Sequence, residues 1–305
     1  MLKYIIKDAE DRSVCFTSPL KVSIVSSLDA PADRLSAVFA VKGDVPALYS
    51  AEVLKDGERV FYGLIDEQSV ELNRNGSFLS VSARSLAALL LDNEAHPQIY
   101  CSPSMPLLMK RHFEPLGFKS YRGTEKAFNG QLVVSKGMSE WSLLKSFCRY
   151  FAQTEPRITK NGVIDISGEQ KDEVLCLAPD RAYSIRHELR NKALISEIRA
   201  RTYASGDYIM PIKSDLAEEL RIQRKRYVNA VGSRSGTVIS SRRIIKESER
   251  EYESLVVGCA GCMLCDTGIT LRIAGDKKQY RIREVVYTLD TSGEKTSIYA
   301  EVKRE

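Results

Sequence analysis

Three cysteines, Cys259, Cys262 and Cys265, stand in CAGCMLC, two consecutive C-x-x-C spacings and the most unusual chemical feature of this chain. Thiolates at that spacing can converge on one zinc ion or iron–sulfur cluster, a site that ordinarily takes a fourth ligand. Cys176, His187, a neighbouring chain or an exogenous group can supply it, and nothing in the sequence selects among them. Gly261 gives the backbone freedom to turn on one side, whereas Met263 and Leu264 are suited to burial. The competing reading makes the three cysteines small hydrophobes in a loop between β-elements. A redox role is disfavoured because no thioredoxin-like βαβ pattern surrounds them.

Other residues with chemical potential are scattered. His96, His112 and His187 lie far apart and read as surface or hydrogen-bonded loop histidines. There is no G-x-S-x-G elbow, Walker A loop or H-E-x-x-H helix, and no glycosidase carboxylate pair can be singled out, so no catalytic residue is named. The main basic patch is RIQRKR, with Arg221, Arg224, Lys225 and Arg226, and with Arg234, Arg242 and Arg243 nearby. It can face nucleic acid, the acidic rim of a partner subunit or simply water, and Glu218 and Glu219 just before it reduce the local charge.

Composition sets the bounds on what these residues belong to. With 305 residues, 43% of them hydrophobic, the chain can bury a substantial core in two or three folding units. Its net charge of +5 is spread over 45 basic and 40 acidic residues, too diluted to indicate nucleic-acid binding by itself. Apolar runs such as LAALLL (86–91) fall far short of a membrane span. The amino terminus MLKYIIKDAEDRS meets acidic residues early and offers no secretory signal. An odd count of seven cysteines fits folding in a reducing cytoplasm.

The elements that must position these residues follow from periodicity. Residues 1–93 alternate apolar and polar residues between turn signals and predict an antiparallel meander, with hairpins at Asp56-Gly57 and Asn75-Gly76. Leu86, Leu89 and Leu90 then share a helical face. Residues 94–176 read as a small α+β unit. In it, Pro106 opens a helix that Gly117 ends, Ser139 caps a second helix, and Asn161-Gly162 turn into a strand over 163–167. In the second helix Trp141, Leu144, Phe147, Cys148 and Phe151 form one apolar stripe. Residues 177–305 return to strands, with a turn at Gly206-Asp207, a charged helix over 238–254 and a closing hairpin at Ser292-Gly293. The segments 62–83 and 280–302 echo each other, each running from Tyr through a long strand to a glycine turn and an alternating return strand.

In this order the segments resemble the late control protein D family of phage tail hubs. The resemblance is carried by the strand ending YGLID (62–66), the return LSVSARSLAALLLDNEAHP (79–97), the Pro-Leu-Gly-Phe helix exit (115–118) and GMSEWSLLKSFCRYFAQTEPRITKNGVIDISG (137–168). The late helix and closing hairpin (238–304) follow in the family's order. It covers nearly the whole chain, matches least well over 213–235 and contains no catalytic signature. It implies a β-rich α+β fold of two related antiparallel β-barrel domains with the small α+β domain inserted between them. It further implies a non-enzymatic baseplate hub of a contractile phage tail or tail-like particle. Such a hub is a homotrimer whose ring of barrels joins a hexameric tail tube protein to a trimeric central spike protein, beside other baseplate subunits, and assembles in the bacterial cytoplasm. No cofactor is expected apart from metal at the cysteine cluster. The competing function is a tail-associated cell-wall hydrolase, and a third is a stand-alone nucleic-acid-binding protein.

Overall fold

Alternating apolar residues build the first sheet. A computed structural model describes residues 2–16, 18–168, 173–201, 207–229 and 234–303. Contacts group the chain into two compact units where the sequence suggests three consecutive segments. The first unit holds residues 1–172, 260–268 and 284–296, and the second holds 173–259, 269–283 and 297–305.

In the first unit the strands β1 (Leu2–Asp8), β2 (Ser13–Phe16), β3 (Lys21–Ser27), β4 (Arg34–Val41), β5 (Leu48–Lys55), β6 (Glu58–Asn73) and β7 (Gly76–Ser85) pair antiparallel in the order β3-β4-β7-β6-β5-β1-β2. Their inward residues, among them Tyr4, Ile6, Leu35, Phe39, Val53, Phe61, Leu79 and Val81, form one buried cluster. The predicted Asp56-Gly57 hairpin is present, with φ of 51° and 90° as a type I′ turn requires. The next turn falls one residue earlier than Asn75-Gly76: Arg74 and Asn75 make the reversal, and Gly76, at φ 127°, opens β7.

Helix α1 (Ala87–Asp92) follows, as the leucine spacing requires. The α+β part holds β8 (Gln98–Tyr100), α2 (Met105–Leu108), β9 (Tyr121–Arg122), β10 (Leu132–Val134), α3 (Glu140–Phe147), β11 (Arg157–Ile158) and β12 (Ile164–Asp165). Helix α2 continues in wider and then tighter turns through residue 116 and stops at Gly117, whose φ of 93° needs glycine. Helix α3 is capped by Ser139, whose Oγ accepts from the Ser142 N–H, and its helical turns run on to residue 152. Leu144, Phe147 and Cys148 are buried, and Trp141 and Phe151 pack at the margin of the same core. The strand expected over 163–167 is reduced to Ile164–Asp165.

The second unit contains β13 (Val174–Leu177), β14 (Ala182–Leu189), β15 (Glu197–Ala200), β16 (Met210–Lys213), α4 (Asp215–Glu219), β17 (Lys225–Val228), α5 (Arg234–Tyr252), β18 (Glu253–Ala260) and β19 (Thr270–Ile273). The closing hairpin, β20 (Gln279–Asp290) and β21 (Gly293–Val302), contributes to both units. The order here is β14-β18-β21-β20, with β13 and β19 attached through β20 and a separate sheet β16-β15-β17. The charged helix reaches back to Arg234 and ends at Tyr252, short of the 254 expected, because Leu255, Val257 and Cys259 alternate inward as a strand. Gly206 of the expected Gly206-Asp207 turn lies outside the described residues.

The β-rich α+β class is therefore present, built mostly of antiparallel sheet with small helices. Among the described residues the strand order is an open path that ends at the four-residue β2, and no pairing closes it into a barrel.

Candidate functional site

The residues that carry the family resemblance converge on one side chain. The Arg84 guanidinium on β7 donates to Asp66 through Nε (2.7 Å) and Nη2 (3.0 Å), and to Asp92 through Nη1 (3.1 Å) and Nη2 (2.6 Å). It thereby ties YGLID, the return strand and the end of α1 together. Hydrogen bonds to Asp66 and Asp92 raise the Arg84 pKa above its usual range, and the bond from Arg84 lowers that of Asp92. One step away, Gly63 passes so close to β7 that an added Cβ would sit 2.1 Å from the Arg84 carbonyl oxygen. The glycine of YGLID is thus a steric requirement of the β6–β7 crossing, and Asp66 is its electrostatic clasp. The register Leu64↔Arg84, set by the turn at Arg74-Asn75 and the bulge at Asp66, brings Asp66 within reach of Arg84.

The hairpin echo is real at atomic detail. Asn75 N–H donates to Asn73 Oδ1 (2.9 Å) before Gly76, and Ser292 N–H donates to Asp290 Oδ1 (2.7 Å) before Gly293, which has φ 99°. Each long hairpin turns on two residues, an Asx hydrogen bond and a left-handed glycine.

The three cysteines stand at the end of β18 and in the loop that follows it. Cys259 is buried in β18 opposite Ala182. The following turn is tied to β21, where Gly261 N–H donates to the Glu294 carbonyl (2.9 Å) and Thr296 Oγ1 donates to the Gly261 carbonyl (2.7 Å). Thr296 Oγ1 also accepts from Met263 N–H (2.9 Å). Cys262 and Leu264 pack against the first β-core. Burial pushes the Cys259 and Cys262 thiols up, away from the thiolate a metal needs. Among the described residues no three His, Cys, Asp or Glu side chains group as a metal site would require.

One constellation is invisible in the sequence. His112 is a buried helix residue, 2% exposed, and not a surface loop residue. Its Nδ1 lies 3.0 Å from Glu140 Oε1, and its Nε2 lies 2.7 Å from Tyr100 Oη and 3.3 Å from Gln98 Nε2. Gln98 accepts from Arg111 through Oε1 (2.8 Å), so its amide nitrogen faces the imidazole and can only donate. Nδ1 thus faces the Glu140 carboxylate, and Nε2 faces the Tyr100 hydroxyl and the Gln98 amide. With both ring nitrogens engaged and Tyr100 buried as well, this is an internal brace, closed to substrate. His96 and His187 are exposed, as expected.

Of the basic residues, Arg224 is turned onto the loop between β14 and β15, donating to the Asn191 and Leu194 carbonyls, while Lys225 pairs with Glu197 at 3.4 Å. Arg221 and Arg226 are exposed. Two cavities lie in the first unit. One, of about 410 Å³, is lined by Tyr4, Lys55, Cys262, Tyr287 and Glu294, and burial raises both phenols above their usual range. The other, of about 570 Å³, sets Arg59, Arg122, Arg157 and Lys160 against Asp33, Glu58, Asp165 and Asp266, with no excess of either sign.

No family model matches the chain, and no curated protein does. Solved structures do. The chain is similar to a tail protein from Neisseria meningitidis MC58, at 16% identity over 98% of this chain and 96% of that one, with a TM-score of 0.78. The 43 kDa tail protein of prophage MuSo2 from Shewanella oneidensis superposes with a TM-score of 0.80, at 14% identity over 98% of both chains. The chain has the fold of these phage tail proteins. A third similar structure, at 13% identity over 94% of this chain and 74% of the other with a TM-score of 0.59, is an E. coli component of the type VI secretion system described as structurally similar to the T4 bacteriophage tail proteins gp27 and gp5. No helix among the described residues is long and apolar enough to cross a membrane.

Proposed function

We propose that this chain is a structural, non-enzymatic subunit of the baseplate hub of a contractile phage tail or tail-like injection machine. Its ring of three copies adapts a hexameric tail tube to a trimeric central spike. The observation that carries this reading is the end-to-end match in fold to phage tail proteins at identities too low to reflect anything but architecture. A type VI secretion component of the same fold adds support for a place in injection machinery. The repeated hairpin, turned each time by an Asx hydrogen bond and a glycine, supports two related β-domains per chain, and three such chains would offer six equivalent positions. A non-enzymatic role agrees with a chemistry spent internally, in the Arg84 clasp and the buried His112 brace.

Native mass spectrometry and particle imaging of the purified chain test the proposal. A ring of three copies that binds tube and spike proteins is expected. A chain that stays monomeric at micromolar concentration, or one that clears peptidoglycan in a zymogram, would overturn it.

A further inference from the structure

Two open sheet edges of opposite charge stand in this molecule. Strand β5 covers β6 only as far as Leu64, and a bulge at Asp66 follows. Beyond it, β6 pairs with β7 alone, down to Asn73↔Gly76, so its other edge has no strand partner among the described residues. Gln68 closes the start of that edge by accepting from Leu48 N–H and donating to the Pro46 carbonyl. From Ser69 to Asn73 every residue is exposed, including Val70 (47%) and Leu72 (82%) on one face. Glu67 and Glu71 make this edge acidic, and neither has an ion-pair partner among the described residues. An exposed strand edge carrying apolar side chains is a template for adding another strand.

The second edge is β17, paired on one side with β15 and open on the other among the described residues. It reads Lys225-Arg226-Tyr227-Val228, with Tyr227 61% exposed. Among the other open edges of four residues or more, none suits an acidic strand as well. β2 and β13 carry no charge, β14 mixes Arg186 with Glu188, and β16 contains Pro211, which cannot donate. The basic run that the sequence singled out thus belongs to a four-residue open edge whose charged residues, Lys225 and Arg226, are both basic, with Lys225 already paired to Glu197.

We infer that the acidic β6 arm (69–73) of one subunit adds to the basic β17 edge (225–228) of a second copy, making a heterologous contact. A contact between two different patches repeats head to tail and closes into a ring when its rotation allows. The inference rests on the proposed ring and names the surfaces that would form it. Arg226, which has no carboxylate partner among the described residues, is the cation that Glu71 would meet.

The full chain in low salt is the test, read by native mass spectrometry and by amide exchange, with circular dichroism confirming the fold of each variant. Glu71→Arg and Arg226→Glu should each weaken association at least about tenfold, and the double variant should restore it. Amides of 69–73 and 225–228 should exchange more slowly in the oligomer than after dilution. If both single variants assemble like wild type, the ring uses other surfaces and this inference falls while the hub reading stands. A wild-type chain that remains monomeric sinks both. Protection of the arm that comes only with a different tail protein, or a double variant that does not recover, also overturns it.

Discussion

Cys148, Cys259 and Cys262 show how burial silences a thiol. Burial pushes Cys148 up to about 12 from an ordinary value of 9.0, and moves the other two in the same direction. Because the folded value is raised, the stabilisation Cys148 contributes is complete below pH 9 and is lost as pH climbs toward 12. In native protein at pH 8, alkylation read by mass spectrometry should label the exposed Cys15, Cys101 and Cys176 quickly and spare Cys148 and Cys259. Anaerobic purification should yield protein without iron or zinc, and all three thiols of CAGCMLC should alkylate after unfolding. A chromophore, or zinc released on unfolding, would revive the metal reading. At the same scale, His112→Ala strands a buried carboxylate and a phenol. It should cost about 3–5 kcal/mol in urea unfolding, whereas Tyr100→Phe, which removes one hydrogen bond, should cost about 1 kcal/mol. Equal losses would contradict the brace.

Elements fail where their geometry leaves no slack. Gly63→Ala places a methyl group against the Arg84 carbonyl where β6 crosses β7, and it should destabilise by about 2–3 kcal/mol. Gly57→Ala meets no atom within 4 Å, so its cost comes from its left-handed backbone alone and should be smaller. Thermal melts of the two variants separate steric from conformational cost. In α3, Phe147 is fully buried between Phe128 and Phe151, and Phe147→Ala should cost about 3–5 kcal/mol. The stripe that positions it was legible because a 3.6-residue period repeats over three turns. The short strand after Gly162 was overextended because an alternating run says nothing about whether a partner strand exists to pair with it.

The whole molecule behaves as two units if its contacts govern its cooperativity. Phe147→Ala should then speed amide exchange through the helical core of the first unit and leave Ile198 and Ala200 of the second at wild-type protection. Uniform loosening would reveal a single cooperative block. The sequence by itself determined the β-rich class, the helices near residues 86, 105 and 139, and the Asp56-Gly57 turn, and it placed the two long hairpin turns to within a residue, because periodicity and turn chemistry are local. Residues far apart in the chain were decided only by tertiary structure. His112 found Glu140 across the α+β core, Arg84 found Asp66 through strand register and Asp92 through the placement of α1, and residues 284–296 joined the first unit because β20 pairs with β3. Pairing partners are chosen by burial and register summed over the whole sheet, and no short window of sequence contains that sum.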